Sequence, residues 1–192
     1  MDQSRSSLAL LPAISGRYSP RAFIDRAVTD DDLTLVLEAA RWAPSSMNEQ
    51  PWRFLVTRRG GEGHALLLDC LNPSNRIWAD KAPVLMLAMA HRILHRINAE
   101  NHHARHDLGV AVGQLGVQAT SMGLGLHQLG GFDPGKTRQA FGIPEELDVV
   151  TVIALGWPGK AEDLPEQLQQ RERTRSPRRA LSELVHYGRF TR

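Results

Sequence analysis

The stretch Ala43-Pro44-Ser45-Ser46-Met47-Asn48-Glu49-Gln50-Pro51-Trp52-Arg53-Phe54 constrains the fold more than any other. Before it, Leu33, Val36, Leu37 and Ala40 repeat at helical spacing. Thr29-Asp30-Asp31-Asp32 opens that helix: Thr29 caps, Asp32 stands at the capping-box position, and three acids suit the positive end of the helix dipole. Pro44 stops the helix. After it, 52–57 reads as a strand that Gly60-Gly61 ends. The chain therefore leaves a helix, turns through short hydrogen-bonding residues between two prolines, and enters a strand. A turn of this kind sets a hydroxyl, an amide and backbone groups along one edge of a flat, polar ligand.

The rest of the chain supplies partners for these elements. Residues 84–90 are almost wholly apolar and read as a buried strand, although a short buried helix has the same pattern. Residues 149–155 are a second apolar, β-branched strand, and Leu124, Leu126 and Leu129 mark a short third one. Helices are expected over 4–15, weakened by Pro12, over 62–71, over 107–122 with Asp107 as cap, and from Asp133-Pro134 to about 141. Residues 72–75 read as a turn, and 160–179 as a poorly ordered, charged excursion. The 107–122 helix carries Gly109, Gly113 and Gly116, each costing about 1 kcal/mol relative to alanine. Close approach of another backbone accounts for such a cost, so this helix is expected at a homodimer interface. No phosphate-binding strand–glycine loop–helix unit is present, which favours an α+β layer fold over a doubly wound one.

Composition excludes several classes. With 192 residues the chain fits a single domain with a real core. A formal net charge of +2 with dispersed basic residues argues against a nucleic-acid binder. One cysteine, Cys70, set in an apolar run, excludes an internal disulfide and a CxxC site. No run approaches the roughly 18 apolar residues of a membrane span, and no secretory signal pattern opens the chain. A cytoplasmic protein is the default expectation. His91/His95 and His102/His106 are spaced i,i+4, as metal-binding imidazoles on a helix are, but without the intervening glutamate of HExxH. A solvated basic segment is the better reading, with no metal.

Two further stretches carry chemistry. In Gly16-Arg17-Tyr18-Ser19-Pro20-Arg21-Ala22-Phe23, Pro20 extends Ser19, and alternation then brings Arg17, Ser19 and Arg21 to one side. Two guanidiniums and a hydroxyl suit a phosphate, although basic residues also simply solvate loops. Gly130-Gly131 lets backbone approach a ligand without side-chain obstruction, or makes an ordinary turn. Arg178-Arg179, just before the apolar 180–187 segment, adds a second basic pair.

RYSPRAF at 17–23, ARWAPSSMNEQPWRF at 40–54, GLGLHQLGGFD at 123–133, ALGWPGK at 154–160 and RRALSELVHY at 178–187 resemble, in order, the nitroreductase family. The resemblance implies an α+β, three-layer fold with a mostly antiparallel sheet flanked by helices, in an intertwined homodimer. It implies one FMN-binding domain over 1–192, with 160–192 a C-terminal extension packing on the partner subunit. It implies an FMN-dependent oxidoreductase that uses NADH or NADPH to reduce nitroaromatics, quinones or related electrophiles by hydride transfer through flavin N5. By the same resemblance Arg17, Tyr18, Ser19 and Arg21 hold phosphate and ribityl. Pro44, Ser45, Ser46, Asn48 and Gln50 reach the flavin from the partner, and Gly130 and Gly131 approach its N5 edge. Asn75 lies near its pyrimidine edge, and Arg178 or Arg179 closes on the phosphate. No side chain is expected to carry the catalysis, because the flavin does. A specialised family enzyme (dehalogenase-like, enoyl-reducing or flavin-consuming) and a non-catalytic FMN store are the alternatives.

Overall fold

The computed structural model describes residues 10–190. The elements are α1 (Pro12–Ser15), α2 (Asp30–Arg41), β1 (Trp52–Arg58), α3 (His64–Asp69), α4 (Pro73–Ala79), β2 (Val84–His91), β3 (Ile93–Leu94), β4 (Ala99–Glu100), α5 (Ala104–Ser121), β5 (Gly125–Leu129), α6 (Pro134–Phe141), β6 (Leu147–Gly156) and α7 (Glu166–Arg173). Strands β1-β2-β6-β5 form one four-stranded sheet, antiparallel at every pairing. β3 and β4 make a separate hairpin.

The sheet is the middle of three layers, which decides how 84–90 folds. Val84, Met86, Ala88 and Ala90 pack with Leu33 and Val36 of α2 and with Leu108, Val112 and Leu115 of α5. Leu85, Leu87 and Met89 join the other core, with Leu67 of α3, Trp78 of α4 and Leu168 of α7. A central strand covered on both faces needs apolar residues at successive positions, so it loses the usual alternation. Trp78 is 1% exposed and stacks near Phe23, with ring centroids 6.4 Å apart. Truncating so large a buried ring costs about 3–5 kcal/mol.

The expected caps form. Thr29 Oγ1 accepts from the Asp32 amide at 3.1 Å, and the Asp32 carboxylate accepts from the Thr29 amide at 3.3 Å. Asp133 accepts from the Lys136 amide at 2.9 Å, with Pro134 in the first helical turn of α6.

Three expectations are corrected, and the histidine spacing is resolved. Residues 72–75 are not a free turn: Asn72 precedes α4, whose proline sits in its first turn, and burial of Trp78 extends the helix. Asp107 does not cap α5, which begins at Ala104 with His103 before it. Much of 160–179 is ordered, because Leu164 and Leu168 are buried and hold α7 on the second core. The 91/95 and 102/106 histidine pairs do not share a helix face; His91 ends β2, His95 follows β3, and His102 precedes α5. The His91 and His95 rings pack against each other instead, tilted by 31° with centroids 4.5 Å apart. Of the helix expected over 4–15, Pro12–Ser15 is helical, and positions 4–9 lie outside the described residues.

Among the described residues no helix is long and apolar enough to cross a membrane. Among the described residues, and apart from the helix's own backbone, no atom lies within 4 Å of where a Cβ would stand at Gly109, Gly113 or Gly116. The packing of the described residues therefore does not account for these α5 glycines.

Candidate functional site

The structure brings the phosphate-suited residues from opposite ends of the chain to one place. Residues 17–21 lie against β5. A Cβ on Gly125 would overlap the Pro20 ring, so only glycine lets this segment approach so closely. His127 Nδ1 donates to the Pro20 carbonyl at 2.9 Å, and its ring packs on Trp78 with centroids 4.7 Å apart. Burial pushes the His127 pKa down to about 4, against the opposing hydrogen bond to Pro20, so the ring is a neutral Nδ1–H donor near neutral pH.

Arg17, Tyr18, Ser19 and Arg21 line an open cavity of about 1340 Å³, and Arg178 joins its wall from the C-terminal segment. Arg17 Nη1 donates to Ser19 Oγ at 3.3 Å. Arg179 is exposed and is not part of that wall. Burial, and then the neighbouring Arg178 charge, lowers the Arg17 pKa. Burial and Arg171 lower that of Arg21, against the attraction of Glu172. Guanidiniums held this close disfavour one another, which an anion among them relieves.

Three charged cavity residues were not singled out from the sequence as ligand-binding groups: Arg171, Glu172 and Arg175. The Glu172 carboxylate accepts from the Arg21 amide at 3.1 Å and the Ala22 amide at 3.4 Å, and its side chain is 6% exposed. It fastens α7 to the 17–21 segment. The Arg175 guanidinium lies over the Tyr18 ring, 4.1 Å from its centroid. Only the charge density of 171–179 hinted at these roles. Their distance from Arg21 in the chain, about 150 positions, hides the contact.

The 44–50 turn is built differently. Met47, Asn48 and Gln50 have φ of 53°, 56° and 50°. Non-glycine residues in the left-handed region are uncommon, and such strain clusters at functional sites. The conformation is pinned from inside and outside. Ser45 Oγ accepts from the Gln50 amide at 2.9 Å, and Gln50 Nε2 donates to the Asn48 carbonyl at 3.2 Å. From α5, Asp107 Oδ2 accepts from the Ser46 amide at 2.9 Å, while its Oδ1 accepts from His106 Nδ1 at 3.0 Å. Asp107 is 3% exposed, so this buried carboxylate spans two elements. Pro44, Ser45 and Ser46 line a second, smaller cavity of about 290 Å³ with His103, His106 and Asp107. Within one chain the two cavities share no lining residue.

The glycine pair divides into two roles. A Cβ at Gly131 would strike the Asn75 carboxamide, whose Nδ2 donates to the Gly131 carbonyl at 3.0 Å. Asn75 and Gly131 are thus brought together. At Gly130 a Cβ would meet nothing within 4 Å among the described residues, so their packing does not require glycine there. An open, side-chain-free backbone beside Asn75 fits the edge of a flat ligand. The guanidinium-rich wall fits a phosphate monoester. Together these features suit a phosphorylated, planar cofactor. Among the described residues no group of three or more His, Cys, Asp or Glu is placed to hold a metal ion.

The sequence profile of the Nitroreductase family matches residues 14–74 and 71–157. An oxidoreductase containing FMN, of known structure, superposes with a TM-score of 0.91 at 31% identity, covering 100% of this chain and 98% of its own. A Desulfovibrio desulfuricans protein solved in complex with FMN superposes at 0.74 with 30% identity, covering 93% and 96%. The NADH dehydrogenase of Thermus thermophilus is 27% identical over 175 residues, 75% of this chain and 84% of that protein.

Proposed function

The chain belongs to the nitroreductase family of oxidoreductases, and from that membership we propose that it binds FMN and uses NADH or NADPH to reduce nitroaromatics, quinones or related electron-poor small molecules. The single observation that carries the cofactor assignment is the convergence of Arg17, Ser19, Arg21 and Arg178 on one cavity wall. These residues would hold the phosphate, with Tyr18 beside them. Asn75 and the open Gly130 backbone would border the ring system. Bound there, FMN would supply the redox chemistry that links a reduced nicotinamide to the acceptor. The protein binds, orients and shields. His127, neutral and tied to Pro20, keeps the phosphate segment in place without adding a charge that titrates near neutrality.

We place the 44–50 turn on the flavin of a second subunit. Two features support a homodimer: the unfilled glycine positions of α5, and the apolar C-terminal segment, where Leu181, Leu184, Tyr187 and Phe190 are exposed. The segment 160–192 would pack on the partner beyond α7. Sedimentation as a monomer at micromolar concentration would remove the dimer from this reading.

The test of the cofactor and the reaction together is an absorption spectrum of the purified protein, before and after anaerobic addition of NADPH or NADH. Flavin bands that bleach are expected. Protein that stays colourless after reconstitution with FMN overturns the assignment. Asn48→Gly sharpens the test, because glycine keeps the left-handed backbone and removes only the carboxamide. Weaker FMN retention with an unchanged fold is expected; unchanged retention would take Asn48 out of the site.

A further inference from the structure

The cavity beside residues 17–21 carries more positive charge than one phosphate uses. Among the described residues, five guanidiniums, from Arg17, Arg21, Arg171, Arg175 and Arg178, face one carboxylate, Glu172. A bound phosphate monoester contributes a charge of about −2, so two of the five remain uncompensated. Arg17, Arg21 and Arg178 are the residues matched to the FMN phosphate. The surplus therefore falls on Arg171, in the last turn of α7, and Arg175, just beyond it.

Neither of these two is an ordinary solvated arginine. Their neighbour Arg173 turns to Glu162, at 2.6 Å, and is neutralised there. Among the described residues Arg171 and Arg175 have no carboxylate partner. Arg175 is instead fixed by its stack on Tyr18, 4.1 Å away. A stacked guanidinium keeps its in-plane donors for a second ligand, and its fork matches phosphate geometry. Arg171 lies close enough to Arg21 to lower its pKa by repulsion. The platform beneath them is rigid, because the buried Glu172 carboxylate ties this turn of α7 to the Arg21 and Ala22 amides.

We propose that Arg171 and Arg175 form a second phosphate subsite on the rim of the cavity, which takes the 2′-phosphate of NADPH and makes NADPH the preferred reductant over NADH. The assignment rests on the FMN reading: the nicotinamide donor is the phosphate-bearing ligand that must visit the same cavity. A dinucleotide lacking the 2′-phosphate leaves both guanidiniums unpaired and gains nothing from them.

The experiment is calorimetric titration of the FMN-loaded protein with adenosine 2′,5′-bisphosphate, 5′-AMP and inorganic phosphate in parallel. The bisphosphate is expected to bind at least about tenfold tighter than 5′-AMP, the size of one or two charge-assisted hydrogen bonds. In the Arg171→Gln/Arg175→Gln variant that preference should vanish with flavin content unchanged, and the ratio of kcat/KM for NADPH over NADH should fall by a similar factor. Both positions are exposed, so the fold is expected to survive. Equal binding of bisphosphate and 5′-AMP, or a preference that survives in the double variant, overturns the subsite. Inorganic phosphate that binds as tightly as the bisphosphate reduces it to a general anion site and overturns the NADPH assignment. Loss of flavin from the variant assigns both arginines to the FMN phosphate and overturns it as well. If the protein takes up no FMN, the cofactor reading fails separately, and the same titrations on the flavin-free protein still decide whether the arginine pair reads a 2′-phosphate.

Discussion

The 17–21 segment and the 44–50 turn are both candidate ligand-binding stretches, yet they are held by different physics. The first is passive backbone positioned by its surroundings: Gly125 makes room for Pro20, His127 binds its carbonyl, and Glu172 takes the next two amides. Its binding groups are long, charged side chains drawn from both ends of the chain. The second is strained backbone, with three non-glycine residues at positive φ, held by local hydrogen bonds and one buried carboxylate. Its binding groups are short. A site of the first kind is tuned by charge and is sensitive to distant packing. A site of the second kind is tuned by geometry and is sensitive to the few bonds that hold the strain.

The largest test of this contrast is Gly125→Val. A side chain at 125 overlaps Pro20, and such overpacking costs about 3 kcal/mol. Urea unfolding should show the loss, and flavin affinity should fall with it, while amide signals of 45–50 stay in place. If both stretches shift together, they are not independent units.

Acid is the next largest lever, and it acts through the first region. The unfolded chain's His127 titrates near 6.5, whereas burial lowers the folded value to about 4. As pH falls the unfolded chain therefore takes the proton first. The contribution is complete above the unfolded pKa and is lost as pH drops from 6.5 through about 4. The full difference is on the order of 3 kcal/mol. His127→Asn should flatten the stability-versus-pH curve across that window relative to the parent protein. Identical curves for the two proteins would remove His127 as the acid-sensitive part of this region.

Asp107→Ala is the matching cut in the second region. It strips a buried acceptor from the Ser46 amide and from His106, at a cost of about 2 kcal/mol. Faster amide exchange at 45–50 is expected, with the guanidinium cavity unchanged. Strain that persisted without Asp107 would show the turn to be self-supporting.

Glu172→Gln is the mildest change. It removes the charge but keeps an acceptor for the Arg21 and Ala22 amides, so about 1 kcal/mol is expected. Limited proteolysis within 165–175 should quicken. An unchanged digestion pattern would mean that Leu164 and Leu168 hold α7 without the ion.

The contrast also explains what was legible beforehand. The Thr29 capping box, the proline-bounded turn and the apolar strands depend on neighbours within a few residues, so pattern revealed them. Alternation put Arg17, Ser19 and Arg21 on one side, and the three do line one cavity, but a phosphate role for them came from the family resemblance and not from local pattern. The helical nature of 73–79 was not legible, because it depends on where Trp78 is buried. Asp107 read only as a helix cap, since its partner Ser46 lies 61 positions away. Arg171 and Arg175 sat in a charged segment that resembled a solvated excursion until Leu164 and Leu168 were seen in the core.

By itself, then, the sequence determined the layer architecture and the Thr29 and Asp133 caps and marked candidate ligand-binding stretches, because hydrophobic period, proline and short-range hydrogen bonding act locally. Tertiary structure alone decided which guanidiniums share a wall, which backbone is held at positive φ and which carboxylates are buried. Those outcomes depend on contacts between segments as many as about 150 residues apart, and Coulomb energies and desolvation are set by distance in space rather than position in the chain.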